Sequence, residues 1–116
     1  MTQETLERIK QQIELSPVLL YMKGTPQFPQ CGFSGKVAHI LLTLNINFNF
    51  VNILEHPDIR ATLPTYAQWP TFPQLWVNGE LVGGCDIVSE MYQTQELQDL
   101  LKEANIAQES IIHQLK

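Results

Sequence analysis

Cysteine, positive charge and long apolar runs are all scarce in this chain of 116 residues. Seven Lys and Arg residues stand against twelve Asp and Glu residues, and the net charge of −5 argues against non-specific nucleic-acid binding, which needs a basic surface. The longest apolar run, Val18 to Met22, is far shorter than the roughly 20 residues of a membrane-spanning helix. Residues 1–14 are polar and do not resemble a signal peptide. We therefore expect a cytoplasmic protein that binds neither nucleic acid nor membrane.

Only two cysteines are present, Cys31 and Cys85. Without an export signal they indicate a reducing compartment, where thiols are usually catalytic, metal-binding or inert rather than joined in structural disulfides. The apolar content of 44% and the charged content of 16% are typical of a globular protein, and the length predicts one domain over residues 1–116.

Hydrophobic periodicity and turn residues predict the order of the elements. Helices are expected over residues 3–14, 32–44, 57–67 and 95–103, with another capped by Asp86 and ending near 93; strands are expected over residues 18–22, 48–53, 75–77 and 80–82. Asn78-Gly79 favours a type I′ hairpin turn. A βαβ unit followed by a hairpin predicts a thioredoxin-like α/β fold, a mixed four-stranded sheet with helices on both faces. Residues 105–116 are expected to form a peripheral helix or a frayed tail.

Cys31 follows a strand and a loop and precedes the helix predicted over residues 32–44. Unpaired N–H groups and the positive end of the dipole stabilise a thiolate at a helix start, and Lys23 adds a neighbouring cation. Cysteines in such settings act as nucleophiles and metal ligands. The alternative, a buried structural cysteine, is disfavoured because Cys31 lies in a loop rather than on an apolar face.

A dithiol redox motif would carry a second cysteine at position 34, where this chain has Ser34. Cys31 therefore has no neighbouring thiol with which to close a local disulfide. It requires an external thiol, and glutathione is the abundant one in the cytosol.

Four segments together carry a resemblance to a known family. They are Tyr21-Met22-Lys23-Gly24-Thr25-Pro26, Cys31-Gly32-Phe33-Ser34, Trp69-Pro70-Thr71-Phe72-Pro73-Gln74-Leu75, and Asn78-Gly79-Glu80-Leu81-Val82-Gly83-Gly84-Cys85-Asp86. In this order and spacing, over roughly residues 5 to 104, the chain resembles the monothiol glutaredoxins of the Cys-Gly-Phe-Ser type, most of all their short single-domain bacterial form.

This resemblance implies a glutathione site. Lys23, assisted by Arg60, would bind the glycine carboxylate of glutathione, although a solvated surface charge is the ordinary role of either residue. Phe72, before an expected cis peptide bond, would present its backbone to the peptide. Cys85 and Asp86 open a helix whose free N–H groups would bind the γ-glutamyl carboxylate, although Asp86 would serve equally well as a plain helix cap.

Two functions compete for Cys31. In the first, Cys31 is a catalytic nucleophile that removes glutathione from mixed disulfides. In the second, it is a metal ligand: four thiolates usually hold a [2Fe–2S] cluster, and Cys31 and glutathione from each of two chains would supply them, which predicts a cluster-bridged homodimer. The resemblance favours the second function, with weak or absent oxidoreductase activity.

The resemblance also implies partners for a cluster-binding protein. They are apo iron–sulfur proteins that receive the cluster, and BolA-type proteins that replace one half of the homodimer. Cys85 is open to three interpretations: a disulfide with Cys31, a disulfide across a dimer, or a buried bystander thiol. His39, His56 and Asp58 show no metal-ligand spacing.

Overall fold

The structure is a computed structural model that describes residues 2–104 and 112–114. Within these residues the helices are α1 (Gln3–Leu15), α2 (Gly32–Thr43), α3 (Pro57–Ala67), α4 (Cys85–Gln93) and α5 (Glu96–Ala104), and the strands are β1 (Val18–Met22), β2 (Phe48–Asn52), β3 (Gln74–Val77), β4 (Glu80–Gly83) and β5 (Ile112–Gln114). The strands form one sheet in the order β4-β3-β1-β2-β5. β1 pairs in parallel with β2 and antiparallel with β3, which confirms the predicted mixed sheet and thioredoxin-like fold.

Strand β1 lies in the middle of the sheet, and all five of its residues are buried. Successive strand residues point to opposite faces, so β1 contributes to two separate cores. Leu20 and its alternate neighbours pack with residues of α2, α4 and α5, whereas Leu19 and Tyr21 pack with residues of α1 and α3. The helices therefore cover both faces of the sheet, as predicted, and the C-terminal end of β1 is held from both sides.

The hairpin between β3 and β4 has the turn that its sequence predicts. Asn78 and Gly79 have φ angles of 50° and 81°, the two positive values that a type I′ turn requires. The hairpin fixes the position at which the chain enters α4.

Two differences from the sequence-based expectation are larger than a one-residue shift at the end of an element. The N-cap of α4 is Gly84, not Asp86: Gly84 has extended backbone and its carbonyl accepts the Val88 N–H at 3.0 Å, so Asp86 lies within the first turn. Its carboxylate still stands near the positive end of the helix dipole.

The second difference lies in the predicted tail. Residues 112–114 are neither helical nor frayed but form β5, which pairs in parallel with β2 and covers an edge that would otherwise expose unpaired backbone groups. The other residues of the predicted tail, 105–111 and 115–116, lie outside the described residues. Within the described part of the chain, no helix combines the length and the hydrophobicity needed to cross a bilayer.

Candidate functional site

An open groove of about 810 Å³ lies where the β1–α2 loop, α3, the α3–β3 connection and the start of α4 meet. All six residues predicted for the site line it: Lys23, Cys31, Arg60, Phe72, Cys85 and Asp86. They come from four separate parts of the chain, so the fold brings them together. The peptide bond between Phe72 and Pro73 is cis, as expected from the resemblance.

Cys31 is the N-cap of α2 and is partly exposed at the groove. Its backbone is extended, with φ −153° and ψ 134°, and its carbonyl accepts the Gly35 N–H at 2.9 Å. The backbone N–H of Ser34 lowers the pKa of the Cys31 thiol most, helped by the Phe33 N–H, the Ser34 hydroxyl and the Lys23 charge, while burial opposes the shift. The helix start therefore stabilises the thiolate, as the sequence predicts.

Ser34 has no exposed surface and joins two parts of the site. Its hydroxyl oxygen accepts the Lys23 backbone N–H at 3.1 Å, and the same hydroxyl contributes to the lowered pKa of the Cys31 thiol. A hydroxyl has one donor and two acceptor positions, so accepting from Lys23 leaves its proton free to stabilise the Cys31 thiolate. Position 34 thus links Lys23 to Cys31 in addition to lacking a resolving thiol.

The loop between β1 and Cys31 is closed by backbone hydrogen bonds. The Gln30 N–H donates to the Lys23 carbonyl at 2.9 Å, and Thr25 and Phe28 exchange N–H···O bonds of 3.3 and 3.1 Å. Gly24 has a φ of +95°, and a Cβ there would lie 2.6 Å from both the Gln30 nitrogen and the Phe28 oxygen. Only glycine fits, and the closed loop returns the chain from Lys23 to Cys31.

Sequence comparisons identify the family to which this chain belongs. The Glutaredoxin family model matches residues 18–82. Curated glutaredoxin 4 of Haemophilus influenzae (strain 86-028NP) is 62% identical over 100 residues, which are 86% of this chain and 94% of that protein. The chain belongs to the glutaredoxin family. Because Ser34 stands where a dithiol member carries its second cysteine, it is a monothiol glutaredoxin.

Further relatives agree with this glutaredoxin in length and fold. Glutaredoxin 4 of Escherichia coli K12 is 62% identical over 99 residues, which are 85% of this chain and 86% of that one. The solution structure of reduced poplar apo GrxS14 is 48% identical, with a TM-score of 0.71 and coverage of 87% and 90% of the two chains. A buckwheat glutaredoxin–glutathione complex, 24% identical with a TM-score of 0.79 and coverage of 92% and 100%, shows the shared fold alone.

The second thiol of this glutaredoxin lies deeper than the first. Cys85 is 9% exposed, begins α4, and its Sγ is 3.9 Å from the Ser89 Oγ. Both cysteines are free thiols. Across residues 2–104 and 112–114, no three His, Cys, Asp or Glu side chains cluster in a way that would hold a metal ion. Of the two thiols that line the groove, Cys31 is partly exposed and Cys85 is buried.

Several groove residues were not predicted from the sequence as site residues. They are Phe33, Pro64, Trp69, Pro70, Thr71, Pro73, Gly84 and Ile87. Six of these eight residues lie within the four family segments, and this membership is the signal that would have found them; Pro64 and Ile87 lie outside the segments. Gly84 packs against two of them, since a Cβ there would lie 3.3 Å from the Pro73 oxygen and 3.4 Å from the Trp69 indole nitrogen.

The effect of the Ser34 hydroxyl on the Cys31 thiol leads to a prediction. Ser34→Ala should raise the pKa of the Cys31 thiol, because the hydroxyl donor is lost; the backbone N–H donors of Phe33 and position 34 remain, so the thiol should stay more acidic than an ordinary cysteine. The measurement is the pH dependence of Cys31 alkylation, followed by peptide mass spectrometry. Ser89→Ala, which removes a hydroxyl beside Cys85 instead, is the control; an unchanged Cys31 pKa in Ser34→Ala would contradict the effect assigned to the Ser34 hydroxyl.

Proposed function

We propose that this monothiol glutaredoxin binds glutathione in the groove and, with a second copy of itself, holds a [2Fe–2S] cluster for iron–sulfur cluster assembly, storage or transfer in the cytosol. The observation that carries the proposal is that Cys31 is followed by Ser34 rather than by a second cysteine at position 34. The Cys31 thiolate is stabilised and partly exposed at a groove of ligand size, and no thiol at position 34 can form a disulfide with it.

The charges around the groove suit glutathione, a tripeptide with a carboxylate at each end. Lys23 and Arg60 line the groove and suit the glycine carboxylate. The start of α4, at Cys85 and Asp86, offers free N–H groups for the γ-glutamyl carboxylate, and the Asp86 carboxylate complements the neighbouring ammonium. The volume of about 810 Å³ is within the usual range for a small-molecule site.

This chain provides too few thiolates to hold an iron–sulfur cluster by itself, so external thiolates must complete the ligand set. Four thiolates usually hold a [2Fe–2S] centre, and each chain contributes Cys31. A glutathione bound beside Cys31 contributes a second thiolate, so two chains and two glutathiones complete the set without Cys85. When bound, the cluster would supply the iron and sulfide that an apo iron–sulfur protein receives; the chain's own part is to hold Cys31 ionised and glutathione in place.

Exposed aromatic residues beside Cys31 support a partner at this face. Phe28 and Phe33 are 75% and 64% exposed, one on each side of Cys31 in the chain. Large exposed apolar side chains around a functional site are typical of interaction surfaces. A second copy would cover them in the homodimer, and a BolA-type protein would occupy the same face in a mixed pair.

The second candidate function is glutathione-dependent disulfide exchange, which the lowered pKa of Cys31 favours. The Cys31 thiolate would attack the glutathione sulfur of a mixed disulfide and release the client thiolate. A second glutathione thiolate would then attack the Cys31–glutathione disulfide, releasing Cys31 thiolate and oxidised glutathione.

Anaerobic reconstitution with iron, sulfide and glutathione separates the two functions. The proposal predicts visible absorbance from a [2Fe–2S] centre that elutes with a dimer on size-exclusion chromatography, and slow reduction of a glutathionylated peptide. A colourless monomer that reduces this peptide briskly would reject the cluster and establish the exchange reaction.

Cys85 gives a separate test of the ligand count. Cys85→Ser should retain the cluster and the dimer at wild-type yield, because its nearly buried sulfur is not needed for four thiolates. The measurement is iron and sulfide content per chain after reconstitution. Loss of the cluster in this variant would show that Cys85, rather than glutathione, supplies a ligand.

A further inference from the structure

A buried amide side chain stands directly behind the groove, at the end of β2. Asn52 is 7% exposed and pairs in register with Met22, the last residue of β1. Its Oδ1 accepts the Gly24 N–H at 2.9 Å and the Leu54 N–H at 3.1 Å, and its Nδ2 donates to Glu55 Oε1 at 3.1 Å. Asn52 does not line the groove itself, and the proposed function assigns it no role.

These bonds extend the β1–β2 pairing beyond the strands. The last backbone bond there is from the Ile53 N–H to the Met22 carbonyl, at 2.9 Å. Beyond this bond the segments that follow β1 and β2 separate. The Gly24 N–H therefore donates to the Asn52 side-chain oxygen instead of to a backbone carbonyl. A buried N–H without such an acceptor would be costly, so the contact holds the start of the cysteine loop against β2.

Lys23 is consequently fixed from three directions. Its N–H donates to Ser34 Oγ on α2, its carbonyl accepts the Gln30 N–H, and the next N–H along the chain is held by Asn52. These hydrogen bonds fix the Lys23 backbone near Cys31, and they thereby limit the positions that the flexible Lys23 side chain can reach.

We infer that Asn52 is a positioning residue for Lys23: by holding Gly24 it directs the Lys23 ammonium to the end of the groove where an anionic ligand binds. The inference rests on the proposed glutathione site, because the carboxylate of glutathione is the group that Lys23 meets. Asn52 acts through a backbone contact and touches no ligand, as expected of residues that support a binding site from behind.

The test compares glutathione affinities of apo variants by NMR titration with reduced glutathione. Asn52→Ala should bind glutathione about tenfold more weakly, since it leaves buried N–H groups unpaired and frees the loop. Asn52→Asp combined with Glu55→Gln, which keeps an acceptor for Gly24 without bringing two carboxylates together, should remain close to wild type. Asn49→Ala is the matched control: Asn49 lies on the same strand and loses a comparable bond, from its Nδ2 to Ser16 Oγ at 2.8 Å, away from the groove.

A double-mutant cycle with Lys23→Met distinguishes positioning from general loosening. If Asn52 acts through Lys23, Asn52→Ala should weaken binding by less than about twofold in the Lys23→Met background, because the effects of coupled residues do not add. A full tenfold effect in that background, wild-type affinity in Asn52→Ala, or an equal loss in Asn49→Ala would each overturn the inference.

Amide hydrogen exchange tests the contact without any ligand. The Gly24 amide of the wild-type protein should exchange slowly, and faster exchange in Asn52→Ala with protection kept in the Asn52→Asp, Glu55→Gln double variant would support the inference. Free exchange of Gly24 in the wild type would overturn it even if Asn52→Ala fails to fold. Absence of glutathione binding to the wild type would reject the glutathione site instead, and the exchange result alone would then decide the role of Asn52.

Discussion

Cys31→Ser is expected to abolish cluster binding completely, leaving a colourless monomer after reconstitution with iron, sulfide and glutathione. A serine hydroxyl is not ionised near neutral pH and is a poor substitute for the thiolate that soft iron–sulfur centres prefer. The fold should survive, because Cys31 is partly exposed and its cap contact to Gly35 uses the backbone carbonyl.

Cys85→Ser is the matched control for this loss, since it makes the same atomic change at the other free thiol of the groove. Circular dichroism should give the same thermal midpoint for Cys31→Ser as for the wild type, within a few degrees. Cluster absorbance at wild-type intensity in Cys31→Ser would contradict the assignment of Cys31 as the ligand. The same variant should also lose all glutathione-dependent disulfide exchange.

Gly24→Ala is expected to cost about 3 kcal/mol of folding free energy, by combining a disfavoured positive φ with a steric clash. The added Cβ would lie 2.6 Å from the Gln30 nitrogen and the Phe28 oxygen, and both are backbone atoms that cannot rotate away. The loop would have to open, which would also separate Lys23 from Cys31. Urea denaturation measures the loss of stability, and Cys31 alkylation at neutral pH, which should be slower, reports on the site.

Gly79→Ala separates the two contributions to this loss. Gly79 has a similar positive φ of +81°, but its Cβ would meet no atom within 4 Å. It should therefore cost only about 1 kcal/mol, the price of the backbone conformation alone. Equal losses in the two variants would show that the cysteine loop is not closed as described.

The sequence predicted the elements that depend on local pattern. The short apolar run of β1, the Asn78-Gly79 turn and the proline start of α3 each have a local physical cause, and the structure has all three. The start of α4 was misplaced because Asp86 is a good capping residue, whereas the cap depends on where the hairpin delivers Gly84. The β5 strand was missed because its pairing with β2 is tertiary.

The candidate site likewise has residues that the sequence predicts and residues whose roles depend on tertiary contacts. Cys31 was identified from its place before a helix, and the other site residues from the family resemblance. The buried roles of Ser34 and Asn52 were not visible, because each depends on a hydrogen bond to backbone far along the chain, at Lys23 and Gly24. A buried polar residue at a strand end is a general sign of such contacts, but its partner is known only from the fold.

The proposed role of glutathione as a cluster ligand is tested most directly by counting glutathione in the reconstituted, gel-filtered protein. Acid release of thiols and iron should give one glutathione per chain and one [2Fe–2S] centre per two chains, and reconstitution without glutathione should give no stable cluster. A cluster that forms at full yield without glutathione, or that carries none, would contradict the proposal that glutathione supplies the second thiolate of each chain.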